Sequence, residues 1–176
     1  ADLVLTPELS LWGYPPKDLL LQEDIISKQK NILNDLSKEI EAKYPGLAIA
    51  IGIAERIDDS FFPNLYNSIA LLEQGKWSII ARKIILPTYE VFDEKRYFRS
   101  GNKISIFTKT INNKTWRLGI TICEDLWVNH NIEGRGIHKR NPIFDFEKTN
   151  IDCIINFSAS PYTFKKLINR LRISSY

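Results

Sequence analysis

Methionine is absent from the 176 residues, and cysteine and histidine occur only twice each. Cys123 and Cys153 stand thirty residues apart with His130 and His138 as their only company, a spacing that fits no zinc site, so both read as thiols. No apolar run approaches the ~20 residues a membrane helix needs. The longest, Leu47 to Ala54, is interrupted by Gly52. No basic leader or small-residue cleavage site marks the opening Ala-Asp-Leu-Val-Leu, so no secretory signal is read and a reducing, cytoplasmic setting is expected. Charge of one sign is not in excess either. The 24 Lys and Arg are scattered among 21 Asp and Glu, which gives no nucleic-acid footprint. The missing methionine, with an opening inside an apolar strand, points to a fragment of a longer chain.

What is present is an ordinary globular composition, 44% hydrophobic and 26% charged, over a length suited to one domain, 1–176. Leu3-Val4-Leu5 is a strand ended by Thr6-Pro7, which puts Glu8 at a strand's C-terminal end. Beyond Pro15-Pro16, Asp24 is expected to cap a helix with Ile25, Ile32, Leu33, Leu36 and Ile40 on its apolar face, closed by Pro45-Gly46. Leu47 to Ala54 reads as a strand covered on both faces. Asn64 to Glu73 and Trp77 to Ile85 read as a hairpin around Gln74-Gly75, and Ile104 to Phe107 with Trp116 to Cys123 as a second around Asn112-Asn113. Asn129 to Asn141 is polar and reads as a surface loop, Ile151 to Phe157 as a buried strand, and the chain from Pro161 onward as helical. This order predicts an α/β layered domain with a mixed sheet, in which ligands bind beyond the strand ends. Glu8, Lys83 and Cys123 all fall there.

Each of these residues has a plain reading and a chemical one. Cys123 is either a small buried hydrophobe or, at a strand-to-helix junction that would stabilise its thiolate, a nucleophile. Cys153, inside Ile-Asp-Cys-Ile-Ile, reads as core. Glu8, in largely apolar company, is either a strand-end acid facing water or a buried base that needs a partner. Lys83, among Ile79, Ile80, Ile84 and Ile85, is a buried lysine that wants a counter-charge, structural or catalytic, while Arg82 is its outward neighbour. Together the three fit acyl transfer: a thiol attacks an amide carbonyl, a glutamate moves the proton, and a lysine stabilises the oxyanion.

Pro7-Glu8-Leu9, Lys83 and Cys123 resemble the Glu-Lys-Cys triad of the nitrilase superfamily. Leu-Trp-Gly-Tyr-Pro-Pro-Lys-Asp-Leu-Leu after Glu8, Leu-Pro-Thr-Tyr-Glu-Val-Phe-Asp-Glu-Lys-Arg-Tyr-Phe after Lys83, Ile-Cys-Glu-Asp-Leu-Trp, and Asn156-Phe-Ser-Ala-Ser-Pro161 resemble the glutaminase domain of glutamine-dependent NAD synthetases. The resemblance implies a nitrilase-like (carbon-nitrogen hydrolase) α-β-β-α sandwich, incomplete here, with its first and closing strands missing. It implies glutamine as substrate, and ammonia handed to a synthetase domain that amidates deamido-NAD with ATP and Mg. No Ser-Gly-Gly-x-Asp-Ser loop for ATP occurs in this sequence, so no cofactor is expected in this chain.

By the same resemblance Glu8 would be general base, Lys83 oxyanion stabiliser and Cys123 nucleophile. Glu94 would be the additional active-site glutamate that orients Lys83 and the substrate, Tyr89 and Ser160 would contact glutamine, and Lys166 would be the basic residue near it. Read without the resemblance, Tyr89 is a loop aromatic, Glu94 a solvated acid, Ser158 and Ser160 strand-end or capping residues, and Lys166 a surface lysine. Nitrilase-type domains commonly pair through their helices, which implies a homo-oligomer. Two alternatives stay open: a free-standing nitrilase-type amidase acting on another small amide, and a non-catalytic fragment with exposed sheet edges.

Overall fold

The computed structural model describes residues 1–59, 61–88, 92–126, 141–161, 167, 168, 170 and 171. Among the described residues, seven strands form two sheets. The first has the order β1 (Leu3–Leu5), β2 (Ala48–Arg56), β3 (Leu65–Glu73), β4 (Lys76–Arg82); the second has β5 (Ser105–Ile111), β6 (Lys114–Ile122), β7 (Cys153–Phe157). β1 runs parallel to β2 and β7 parallel to β6, while the hairpins β3–β4 and β5–β6 and the β2–β3 pair are antiparallel. The mixed α/β reading of the sequence is therefore the observed one.

The hairpin turns follow from residue type. Gln74-Gly75 (φ 52° and 71°) and Asn112-Asn113 (φ 52° and 60°) adopt the left-handed pair that a two-residue loop between twisted strands requires.

Period-two alternation then sorts the layers. On the inner face, Ala48, Ala50, Ile69, Leu71 and Ala81 of the first sheet meet Leu118, Ile120, Ile122 and Phe157 of the second. On the outer face of the first sheet, Ile51, Ile53, Ala70 and Leu72 pack against Leu33 and Ile40 of α1 (Glu23–Lys43). Outside the second sheet, the Phe146 ring of α2 (Pro142–Glu147) lies so close to Gly119 that an added Cβ would sit 2.9 Å from it. The result is an α-β-β-α stack. No helix among the described residues is long and apolar enough to cross a membrane.

Several boundaries differ from the sequence reading. The N-cap of α1 is Gln22, without a side-chain cap bond, and Asp24 lies inside the first turn. Its buried face is Ile26, Gln29, Leu33, Ser37 and Ile40, whereas Ile32 is half exposed. Two polar residues on that stripe hid it. Gln29 pairs with both backbone groups of Ala54, and Ser37 donates to Leu33 O, so both are satisfied where they are buried.

β4 stops at Arg82 rather than Ile85: Lys83 N still bonds to Asn67 O of β3, but the Ile84 and Ile85 amides bind the Asp125 side chain instead of a strand. Cys153, read as core, is exposed: it begins β7, which among the described residues pairs only with β6, and that strand is half-buried for most of its length. The expected loop up to residue 140 lies outside the described residues. Of the helix expected beyond Pro161, residues 167, 168, 170 and 171 are helical.

Candidate active site

Four segments meet at one end of the sandwich. The first is the Pro7-Glu8-Leu9 turn after β1. It crosses β2 at Gly52, where an added Cβ would lie 2.3 Å from Leu9 N and 2.4 Å from Pro7 O, so only glycine lets the turn sit down on the strand. Leu11 N donates to Gly52 O at 3.1 Å and pins the crossing. Glu8 is thereby wholly buried.

The second segment follows β4. Lys83 N donates to Asn67 O at 2.8 Å, which sets Lys83 beside Asn67 of β3, and its side chain is also fully buried. The ammonium lies between two carboxylates, donating to Glu8 Oε1 at 2.6 Å and to Glu94 Oε1 at 2.7 Å. Asn67 Nδ2 donates to the same Glu8 oxygen at 2.8 Å, and the Tyr14 hydroxyl to the same Glu94 oxygen at 2.7 Å. Glu8 Oε2 and Glu94 Oε2 are buried without a hydrogen-bond partner among the described residues. Arg82 points outward and pairs with Glu55, as expected of the neighbour.

Cys123 occupies the third segment. It is buried, follows β6 directly, and has φ 50°, a left-handed conformation that a residue with a Cβ adopts at a cost. A one-turn 3-10 helix, Cys123–Leu126, begins there. The fourth segment holds it: Asn156 Nδ2 donates to Cys123 O at 3.2 Å, and the Ser158 side chain is near enough to favour the ionised thiol.

These charges interact strongly because they are dry. Burial alone would lower the Lys83 pKa, but Glu8 and then Glu94 outweigh it and hold the ammonium well above the ordinary lysine range. Burial raises Glu94 against the pull of Lys83. Burial and Glu94 also carry the Tyr14 phenol far above its usual range, so it stays a neutral donor. Burial pushes the Cys123 thiol up to about 12, with Lys83 pulling the other way. The expected thiolate stabilisation at a helix N-terminus is thus not found. The helix is a single turn, and desolvation dominates. A thiol in this state attacks only if a base takes its proton as it reacts, and Glu8 Oε2 is a buried carboxylate oxygen without a hydrogen-bond partner among the described residues.

Such a cluster is costly to fold. Replacing buried ion triads with apolar residues is often neutral or stabilising, so one ammonium held between two carboxylates beside a buried thiol marks a site rather than a stability device. Tyr14 and Glu94 also line a cavity of about 310 Å³ together with Leu9, Pro15, Phe92 and Tyr97, at the small end of the range for small-molecule sites. No group of three or more His, Cys, Asp or Glu among the described residues could hold a metal.

Of the residues singled out in the sequence, Glu8, Lys83, Glu94 and Cys123 are brought together. Ser160 lies one step out, 3.3 Å from Ser158 Oγ and 2.9 Å from Arg170 Nη2. Tyr89 and Lys166 lie outside the described residues. Asn67, Tyr14, Asp125 and Asn156 were missed. Their signal was a polar residue in an apolar strand for Asn67 and Asn156, and proximity in sequence to Glu8 and Cys123 for Tyr14 and Asp125.

Residues 1–132 match the carbon-nitrogen hydrolase family. The chain is 40% identical over 172 residues to the glutamine-dependent NAD(+) synthetase of Synechocystis sp., covering 94% of this chain and 29% of that protein. It is 33% identical over 177 residues to the enzyme of the same name from Thermotoga maritima, covering 97% and 26%. The solved structure of the glutamine-dependent NAD+ synthetase from Acinetobacter baumannii superposes with a TM-score of 0.75 at 30% identity, over 97% of this chain and 28% of that one. The chain therefore spans less than a third of the length of these relatives. By the extent of the family match and by a sandwich that buries its carboxylates, lysine and thiol together, this chain belongs to the carbon-nitrogen hydrolase family.

Proposed function

We propose that this chain is the ammonia-producing part of a glutamine-dependent NAD synthetase, a partial glutaminase domain over residues 1–176. It hydrolyses glutamine to glutamate and ammonia, and a second domain outside these residues uses ATP and Mg to amidate deamido-NAD. What carries the reading is the Glu8–Lys83–Glu94 cluster around a dry thiol, in a chain 40% identical to a protein of that name.

Cys123 is the nucleophile. Its sulfur attacks the side-chain amide carbon while Glu8 Oε2 takes the thiol proton, and the Lys83 ammonium stabilises the oxyanion that forms. Glu8 returns the proton to the departing nitrogen as the C–N bond breaks, leaving a thioester and ammonia. Water then attacks the thioester while giving a proton to Glu8, and that proton goes to sulfur as the C–S bond breaks and glutamate leaves. Glu94 orients Lys83 and the substrate; Tyr89, Ser160 and Lys166 are its further contacts. The same reading carries a cytoplasmic homo-oligomer.

Ammonia release from glutamine, with one glutamate formed per ammonia, is the test. A clear preference for another small amide would overturn glutamine as substrate in favour of a free-standing nitrilase-type amidase.

A further inference from the structure

Asp125 lies two residues beyond Cys123, is 2% exposed, and takes no part in the chemistry above. It stands in the turn that follows β6 of the second sheet, yet its carboxylate reaches the main chain just beyond β4 of the first. Oδ1 accepts from Ile84 N at 3.0 Å and Ile85 N at 2.7 Å, and Oδ2 accepts from Ile122 N at 3.1 Å. These donors flank the reacting groups: Ile84 follows Lys83, and Ile122 precedes Cys123. One carboxylate thus ties the segment that carries the ammonium to the turn that carries the thiol.

We propose that Asp125 is a positioning residue that fixes Lys83 against Cys123 across the two sheets, so that the ammonium meets the oxyanion formed when the thiol attacks an amide. The inference rests on the hydrolytic reading above. Its three bonds go to main-chain N–H groups, so it acts by setting distances. Packing alone does not account for the charge, since burial pushes this carboxyl up to about 7 even with Ile85, Ile122, Lys83 and Ile84 opposing. A neutral side chain would fill the space at less cost. Reaction geometry, in contrast, is sensitive to small shifts: a misplacement of about 1 Å can cost ~10²-fold in rate.

Asparagine separates the two ends of the clamp. Its oxygen can still accept from Ile84 and Ile85, but its NH₂ then faces the Ile122 N–H, donor against donor, so the Cys123 turn loosens. The test uses the full-length protein in a Cys153→Ser background, with the Cys123 thiol counted by alkylation with labelled iodoacetamide. Asp125→Asn is expected to lower kcat for glutamine per titrated thiol by about tenfold to hundredfold, with KM changed less than about threefold. It is also expected to slow alkylation of Cys123 at fixed pH by about fivefold, because a displaced Lys83 no longer favours the thiolate. Unchanged kcat per thiol and an unchanged alkylation rate, with only a lower melting temperature, would overturn the proposal. If Asp125→Asn does not fold, Asp125→Glu, which keeps the charge and shifts it by one methylene, is read the same way. Alkylation needs no substrate, so a wild type inactive on glutamine would refute the hydrolytic reading while the alkylation rate still decides the positioning.

Discussion

The side-chain amide of Asn67 lies 2.8 Å from Glu8 Oε1, the same oxygen that Lys83 holds, and so leaves Oε2 as the buried oxygen without a partner among the described residues. Two donors on one oxygen orient the carboxylate. Asn67→Ala is expected to lower the rate of ammonia release about tenfold, in line with the ~1.5–3 kcal/mol carried by a hydrogen bond to a charged group. Asn67→Asp should cost more, because it puts a like charge beside Glu8. Initial rates at neutral pH check both, and a full rate in Asn67→Asp would show that Glu8 needs no such hold.

Gly52 decides where Glu8 stands. A methyl at this position meets the backbone of Pro7 and Leu9, which has no flexible end to swing away. Gly52→Ala is expected to destabilise the protein by about 1–3 kcal/mol, and to reduce activity by about two orders of magnitude through displacement of the Glu8 turn. Denaturant midpoints and rates on the same preparation separate the two losses.

Tyr14 bears on Glu94 rather than on the thiol. Tyr14→Phe removes the neutral donor at 2.7 Å and leaves Glu94 Oε1 to Lys83 alone. The rate should fall by about tenfold, with little change in melting temperature because the ring stays. Paired activity and thermal scans measure this, and a variant as active as wild type would remove Tyr14 from the account.

Stability should decline as pH rises through the weakly acidic range. Burial holds the Asp125 carboxyl up to about 7 and raises that of Glu94, while an unfolded carboxyl titrates near about 4. Between those values the folded chain binds more protons than the unfolded one, so each raised group favours folding at the acid end and loses that contribution as it ionises. Asp125→Asn should flatten the decline by up to about 1.4 kcal/mol per pH unit. Unfolding curves from about pH 5 to about pH 8 test it, and a steeper decline in the variant would contradict it.

Much of this was legible in the residues. Strands showed through their alternation, and the hairpins through Gln74-Gly75 and Asn112-Asn113. Glu8, Lys83 and Cys123 stood out because charged and nucleophilic residues at strand ends need a reason, whereas Glu94 read as a solvated acid and entered only through the family resemblance. What stayed hidden depends on contacts across the fold. Gln29 and Ser37 disguised the buried stripe of α1 by being polar and satisfied. Cys153 sits in an apolar run, but its strand has only β6 as a neighbour among the described residues, which no local pattern encodes, and Cys153 is exposed. The high thiol pKa depends on how deeply Cys123 is buried, and sequence spacing does not report depth.

The most direct measurement compares ammonia release from glutamine by Cys123→Ala and by Cys153→Ala. Cys123 is buried beside Lys83, Glu8 and Glu94, whereas Cys153 is exposed at the start of β7. The account expects Cys123→Ala to abolish release and Cys153→Ala to keep most of it. Equal loss in both variants, or substantial release by Cys123→Ala, would contradict the claim that the carboxylate, the ammonium and this thiol work as one site.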